Sequence, residues 1–277
     1  MWHVQSPSLG KLHSLVQRGA IAIGQYEYHS WTRQVFGTKI PVPGVHFAAS
    51  FSPESKWGHK VHNALIQVEL EYVDQLLTSV RDHNVKGAIA EFGVFEGWWI
   101  NYLFEATERL NLPRPILGFD SFKGLSAPHP EFDSHFWREG TYSASRQVVE
   151  QNVAARERPR IRLFEGFFAE SLLTPDAQAV GDIAYARIDC DIYEPSGECL
   201  SYLSKRLSHG SVLVLDDWPH QIRIGEGRAF AEWVPTVPHL RFEFLFFGTW
   251  GHFYIRVWHR DLPSFTESDT RAEPDPG

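Results

Sequence analysis

Two cysteines, Cys190 and Cys199, are all that this chain of 277 residues carries. A disulfide framework is therefore excluded, and a reducing cytoplasm is the expected compartment. Basic excess is lacking as well. The formal charge is −8, whereas a nucleic-acid binder needs clustered Lys and Arg against the phosphates. No apolar run approaches the roughly eighteen residues of a membrane helix, so no membrane partner is expected. The opening "MWHVQSPSLGKLHSLVQRG" has no basic head followed by an apolar stretch, so no signal peptide is expected. Internal repeats and low-complexity tracts are absent too. What is present is a globular composition, 43% hydrophobic and 22% charged, enough for one large core. Tryptophan stands out with ten residues. Packing accounts for most tryptophans in proteins, and flat platforms for a sugar ring or a base are the sharper alternative.

The chain divides by pattern. Residues 1–85 form an N-terminal helical and irregular segment with a turn-prone "KIPVPG". Within it, "KVHNALIQVELEYVDQLLTSVRD" spaces Val61, Leu65, Val68, Tyr72, Val73, Leu76, Leu77 and Val80 as one helix face. Residues 86–260 then alternate. Strands are expected at "GAIAEFG", "PILGFD", "RIRLFEG", "DIAYARIDCD" and "GSVLVLDDW", with helices such as "WWINYLFEATERL", "SASRQVVEQNVAARE" and "SGECLSYLSKRLS" between them. Buried strands alternating with amphipathic helices mean an α/β fold with a parallel sheet and helices on both faces. "LRFEFLFFGTWGHFYIRVWH" breaks the alternation and reads as an antiparallel hairpin at one edge. The tail 261–277 is expected to be disordered.

In an open parallel sheet, ligands bind outside the carboxyl ends of the strands. Several strands here end in acidic or glycine-rich turns, so those turns should converge on one rim. "EFGVFEGWW" places Gly93 and Gly97 four apart, which is not the G-x-G-x-x-G pyrophosphate fingerprint. Asp120 ends the second strand in register with that turn, where a carboxylate suits two ribose hydroxyls. Capping of the following turn is the plainer role for the same aspartate. A ribose without a pyrophosphate site points to S-adenosylmethionine.

Asp189 and Asp191 end "ARIDCD", and Asp216 with Asp217 ends "VLVLDD" on what should be the neighbouring strand. Carboxylates gathered this way repel and raise one another's pKa. The single adjacent cation is Arg187. A divalent ion resolves the conflict, and hard oxygen donors without Cys₂His₂ spacing favour Mg²⁺, Mn²⁺ or Ca²⁺. Cys190 should face away from its neighbours and is not a ligand candidate. A turn at Asp216–Asp217 and a solvated strand end at Asp189 are the plain alternative.

"EFGVFEG", "GFDSFKGL", "EGFF", "ARIDCDIYEP" and "VLVLDDW" together resemble the macrocin and mycinamicin-type sugar O-methyltransferases, over about residues 86–260. The resemblance implies a Rossmann-like class I methyltransferase with a mostly parallel seven-stranded sheet, dependent on S-adenosylmethionine and Mg²⁺, with Mn²⁺ as an alternative. It implies that Asp189, Asp216 and Asp217 ligate the metal and that Asp191 is the general base. Cofactor contacts are implied for Glu91, Phe92, Gly93 and Gly97, for Asp120 and Ser121, for Gly166 and Phe167, and for Asp189. The implied partner is a sugar-containing acceptor, with a second copy of the chain as a further candidate. One departure is clear: Glu96, Gly97, Trp98 and Trp99 stand where the family commonly has a basic residue and then Gly-Gly-Ser.

Asp189 and Asp191 are i and i+2, so on an extended strand both would look into one cleft. The N-terminal segment is the expected lid, with His29, Trp31, His46 and Trp57 as candidates for the acceptor, and His220 as another. Arg228 and Glu232 read as an i,i+4 ion pair. Three other functions fit part of the pattern: a catechol-type O-methyltransferase, a two-metal hydrolase, and a non-catalytic sugar-binding protein on a degenerate methyltransferase fold.

Overall fold

The structure is a computed structural model in which residues 25–41, 56–218 and 222–266 are described. By contacts the chain divides into two compact units, Met1–Val42 and Pro43–Gly277. In the first, helix α1 (25–36) is followed by an extended stretch. The Thr32 hydroxyl accepts from the Ile40 amide at 3.3 Å, and the Tyr28 hydroxyl donates to the Pro41 carbonyl. His29 and Trp31 lie on this helix; His46, His220 and the Trp57 side chain lie outside the described residues.

The second unit holds one seven-stranded sheet in the order β3-β2-β1-β4-β5-β7-β6. The strands are β1 (Ala88–Phe92), β2 (Ile116–Asp120), β3 (Ile161–Glu165), β4 (Ile183–Ile188), β5 (Leu207–Leu215), β6 (Leu240–Phe247) and β7 (Phe253–His259). β1 to β5 pair in parallel, whereas β7 runs antiparallel to both β5 and β6. Strands β1, β2 and β4 are buried at every position, as strands covered on both faces must be. The expected class I architecture is therefore present, with the hairpin closing through a short 3₁₀ turn at Thr249–Gly251.

The helices in chain order are α2 (Lys56–Asp82), α3 (Trp98–Arg109), α4 (Arg146–Asn152), α5 (Phe168–Ser171), α6 (Pro175–Gln178), α7 (Tyr193–Leu203) and α8 (Gly225–Trp233). α4 is shorter than "SASRQVVEQNVAARE" suggests, beginning after Ser145, whose side chain caps the Val148 amide. α2 sends Val73, Leu76, Leu77 and Val80 into the same apolar cluster as Ile89 of β1 and Val212 of β5. The contact boundary thus falls at Val42/Pro43 and not at residue 85, because α2 closes one face of the sheet. Val68 and Tyr72, expected on that face, are about half exposed. Glu69 takes the buried position in that turn, since its carboxylate finds three donors there.

The tail expectation needs correcting at its start. Phe265 stacks on His83 at 4.3 Å, meets the rings of His209 and Trp258, and sits against Gly210, where any Cβ would collide with it. An aromatic ring with that much apolar contact anchors residues 261–266; the rest of the tail lies outside the described residues.

Candidate active site

The carboxyl ends of β1, β2, β4 and β5 open onto a cavity of about 550 Å³, within the usual size of a small-molecule site. At one end lies the glycine turn. Gly93 has φ 91° and donates to the Phe119 carbonyl at 2.8 Å. A Cβ there would strike the Asp189 carbonyl oxygen, so only glycine lets β1 and β4 close up at this point. Asp120 spends its carboxylate on the backbone: Oδ2 accepts from Val94 at 2.6 Å and Phe95 at 3.0 Å, and Oδ1 accepts from Phe122 at 2.6 Å. The capping role is thus fully occupied, while Asp120 still lines the cavity. Ser121 donates to the Gly124 carbonyl and pins the next turn. Gly166, at φ 128°, and the partly exposed Phe167 form the opposite lip. Phe95, Trp137 and Tyr142 add an aromatic wall that the motifs alone did not indicate.

Three expected cofactor residues are placed elsewhere. Glu91 is buried beneath the rim, and burial followed by the charge of Asp189 pushes its carboxyl well up. Phe92 stacks on Phe119 in the sheet core. Gly97 is in the left-handed region and packs against Val153, where a side chain would collide. None of the three lines the cavity. Glu91 and Phe92 lie in a strand buried on both faces, and Gly97 caps the start of α3 against Val153.

The other end of the cavity is acidic. Asp189, Asp216 and Asp217 each offer an oxygen within 4.8 Å of the others. Asp191 joins them by a route other than strand alternation. β4 ends at Ile188, and Asp191 sits at φ 63° in the left-handed region. The turn, and not a shared strand face, aims Asp191 at the cavity, where Asp217 is one of the charges that raise its pKa. Cys190 points away as expected, with its sulfur 3.5 Å from the Ser196 hydroxyl.

Burial raises the carboxyl pKa of Asp189, and Arg187 opposes it. Burial, then Asp217 and Asp189, push Asp191 up to about 9; burial and Asp189 push Asp217 up to about 7. Fixed partners offset only part of this repulsion. Arg187, almost wholly buried, pairs with Asp216, lies 3.6 Å from Asp189, and stacks on the Trp99 ring at 4.0 Å. His252 approaches Asp216 through Nε2 at 3.1 Å and Glu69 through Nδ1 at 2.6 Å. Glu226, fully buried, accepts the Asp217 amide at 2.9 Å. His252, Glu69 and Glu226 were not foreseen. Their only signal is a polar residue in an apolar face, or a histidine in a hairpin turn. Arg228 and Glu232 form the expected surface pair at 2.8 Å.

An all-oxygen set of three close carboxylates, two of them titrating high, suits a hard divalent cation. Among the described residues no helix is long and apolar enough to cross a membrane.

With this geometry in place, the comparisons are specific. The family model described as macrocin-O-methyltransferase (TylF) matches residues 55–229. An 8-demethyl-8-(2,3-dimethoxy-alpha-L-rhamnosyl)-tetracenomycin-C 4'-O-methyltransferase of Streptomyces olivaceus is 29% identical over 174 residues, 58% of this chain and 64% of the relative. A demethyldecarbamoylnovobiocin O-methyltransferase of Streptomyces niveus is 24% identical, again over 58% of this chain and 64% of the relative. The match thus spans just under two thirds of either relative. Among solved structures, the O-methyltransferase NovP superposes with TM-score 0.56 at 21% identity, covering 69% of this chain and 79% of that one. CalS11, a calicheamicin methyltransferase, gives TM-score 0.55 at 22% identity over 76% and 89%. These two show the shared fold.

Proposed function

The chain belongs to the macrocin-O-methyltransferase family, and from that premise we propose that it transfers a methyl group from S-adenosylmethionine to a sugar hydroxyl with the help of a divalent cation. The observation that carries the reading is one cavity with two chemically distinct ends, the Gly93–Asp120 turn and the Asp189–Asp191–Asp216–Asp217 cluster. The S. olivaceus relative, whose name specifies a rhamnosyl 4'-O-methylation, supports a sugar as acceptor.

Asp189, Asp216 and Asp217 would hold Mg²⁺ or Mn²⁺. Such an ion, when bound, supplies positive charge that acidifies and orients a neighbouring hydroxyl. Asp191 takes the hydroxyl proton. Its two charged neighbours, Asp217 and Asp189, are among the causes that hold its pKa up, so neutralising them leaves Asp191 ionised and available near neutral pH. S-adenosylmethionine, when bound, would supply its methyl group to the acceptor oxygen, the electron pair of the broken carbon–sulfur bond staying on sulfur. Positioning supplies most of the rate. Asp120 acts on the cofactor side chiefly by ordering the amides of Val94 and Phe95, with its remaining lone pair available to the ribose.

The test is calorimetry with S-adenosylmethionine, followed by methyl transfer to methyl α-L-rhamnoside and to catechol, each with Mg²⁺ and with EDTA. Cofactor binding, rhamnoside turnover and loss in EDTA are expected. Absence of cofactor binding would favour the non-catalytic reading, and preference for catechol would overturn the sugar.

A further inference from the structure

Phe95, Trp137 and Tyr142 line the main cavity, yet none of them takes part in the proposed mechanism. Phe95 is 41% exposed and Tyr142 is 49% exposed, although both are large side chains facing a cleft. Their rings are contiguous. Phe95 meets Tyr142 edge to face at 5.8 Å, and Trp137 meets Tyr142 at 6.1 Å.

The backbone holds these rings in place against its own preference. Phe95 has φ 47° and Tyr142 has φ 56°, in the left-handed region that bulky residues rarely enter. Asp120 accepts the Phe95 amide at 3.0 Å and so fixes the first. Just before Tyr142, the Gly140 amide donates to the Leu125 carbonyl at 2.9 Å, and the Leu125 amide donates to the Thr141 carbonyl at 3.0 Å. Gly124 lets these segments touch, since a Cβ there would strike the Thr141 carbonyl oxygen. Strained backbone persists only where its surroundings impose it, and it gathers at functional sites.

The aromatic wall also has a definite place. Phe95 belongs to the glycine turn through its bond to Asp120. Tyr142 belongs to the acidic end: after burial, the charges of Asp191, Asp217 and Asp189 raise the pKa of its hydroxyl. The wall therefore spans the gap between the turn and the aspartates. Methyl transfer to an oxygen among the aspartates takes place across that gap, and the methyl of S-adenosylmethionine is carried on a sulfonium with full positive charge. The face of an aromatic ring attracts a cation through its quadrupole. Among the described residues no Lys or Arg lines the cavity to oppose that attraction.

We infer that Phe95, Trp137 and Tyr142 form an aromatic box for the sulfonium, so that the site favours the charged methyl donor over the neutral thioether left after transfer. The inference rests on the proposed use of S-adenosylmethionine and deepens it, assigning the discrimination between donor and product to three named rings. Loss of the charge on transfer removes the attraction and lets the spent cofactor leave. A wall that served the acceptor instead would not tell the two cofactor forms apart.

The experiment is calorimetry with S-adenosylmethionine and with S-adenosylhomocysteine, without acceptor and in Mg²⁺, so that the aspartate charges weigh less. The quantity read is the Kd of the homocysteine form divided by that of the methionine form. Tyr142→Leu and Phe95→Leu, each checked for folding by Tm, should each lower that ratio about fivefold, the scale of one cation–ring contact. Tyr142→Phe keeps the ring and should leave the ratio within about twofold of wild type. Pentafluorophenylalanine at position 95 keeps the shape of the ring and reverses its quadrupole. It should lower the ratio as leucine does, and it carries the test where a leucine variant does not fold. A ratio unmoved by Tyr142→Leu and by both changes at position 95 overturns the box, because a merely shaping role weakens both ligands alike. A drop in Tyr142→Phe equal to that in Tyr142→Leu also overturns it, since the hydroxyl and not the ring would then hold the charge. Binding of neither ligand by wild-type protein removes the S-adenosylmethionine reading itself, and the box with it.

Discussion

Two buried acidic regions of this protein lie one histidine apart and behave in opposite ways. Glu69 on α2 is a single carboxylate with three donors: the Thr249 amide, His252 Nδ1 and the Tyr254 hydroxyl, all at 2.6–2.7 Å. Burial pushes its pKa up, yet these hydrogen bonds and the His252 charge pull it down to about 2. Across His252, Asp189, Asp191 and Asp217 have fewer donors than oxygens, and their carboxyls are pushed up. The first region is complete without a ligand and ties the hairpin to α2. The second is not complete, and a protein that keeps such repulsion in a cleft is keeping it for something that binds there. Satisfaction of lone pairs, more than burial or charge, separates a structural carboxylate from a functional one.

The strongest way to break this comparison is at Asp191. Asp191→Asn is expected to lower kcat by on the order of 10²–10⁴, the cost of a lost general base, with metal and cofactor binding nearly intact and no rescue by excess Mg²⁺. Asp189→Asn should weaken metal binding and regain part of its turnover in excess Mg²⁺. Identical responses of the two variants to added metal, measured by turnover and by calorimetry, would show that the roles are not divided.

Next in size is Glu69. Glu69→Ala leaves three buried donors without their acceptor, and the expected loss is about 3 kcal/mol of unfolding free energy, read from denaturant midpoints. A loss below about 0.5 kcal/mol, the scale of an ordinary surface change, would mean that this region is not the anchor described.

pH sharpens the comparison because the two regions carry opposite signs. A carboxyl raised above its unfolded value stabilises the fold at low pH and loses that contribution as pH rises through the folded pKa. Without metal, stability and Tm should therefore fall as pH rises from about 4, the loss from Asp217 ending near 7 and that from Asp191 near 9. Glu69, depressed to about 2, contributes stability that is lost only as pH falls from about 4.5 toward that value. Mg²⁺ at a fixed concentration of about a hundred times its Kd at pH 8.5 should add about 2.7 kcal/mol there, and less at pH 6, where protons compete for the same carboxylates. Scanning calorimetry at both values checks it; a Mg²⁺ effect independent of pH would detach the metal from the aspartates.

The same contrast explains what could be read in the sequence. β1 and β2 were legible to within a residue at each end, because a run such as "AIAEF" is mostly apolar and is bounded by glycine. The cluster was legible because two acidic pairs end neighbouring strands. Glu69 was not: a polar residue in an amphipathic helix reads as solvent-facing, and only long-range partners from the hairpin, some 180 residues away, make it a core residue. Asp191 was assigned to the cleft by strand alternation, yet a left-handed residue beyond the strand end puts it there. Glu91, Phe92 and Gly97 were placed at the ligand by nearness to a motif. Nearness along the chain does not tell a strand residue's packing side from its ligand side, nor a glycine needed for close packing from one needed by a ligand.

The smallest expected effect concerns Asp120, which lies between the two kinds of region. Its carboxylate is nearly satisfied, like that of Glu69, yet it faces the cavity, like the cluster. If its work is to order the glycine turn, Asp120→Asn keeps one acceptor oxygen and presents an NH₂ to amides that need an acceptor. Hydrogen bonds to a charged group are worth roughly 1.5–3 kcal/mol, and the asparagine keeps part of that. The expected result is about a tenfold loss of S-adenosylmethionine affinity by calorimetry. Adenosine, which carries the ribose without the methionine end, discriminates the two roles. A turn-ordering Asp120 whose ribose contact is minor predicts a smaller loss for adenosine than for the whole cofactor, since the family resemblance implies that the turn carrying Val94 and Phe95 serves the methionine end. Equal losses for both ligands would instead make the ribose the main partner of Asp120 and the amides a secondary one.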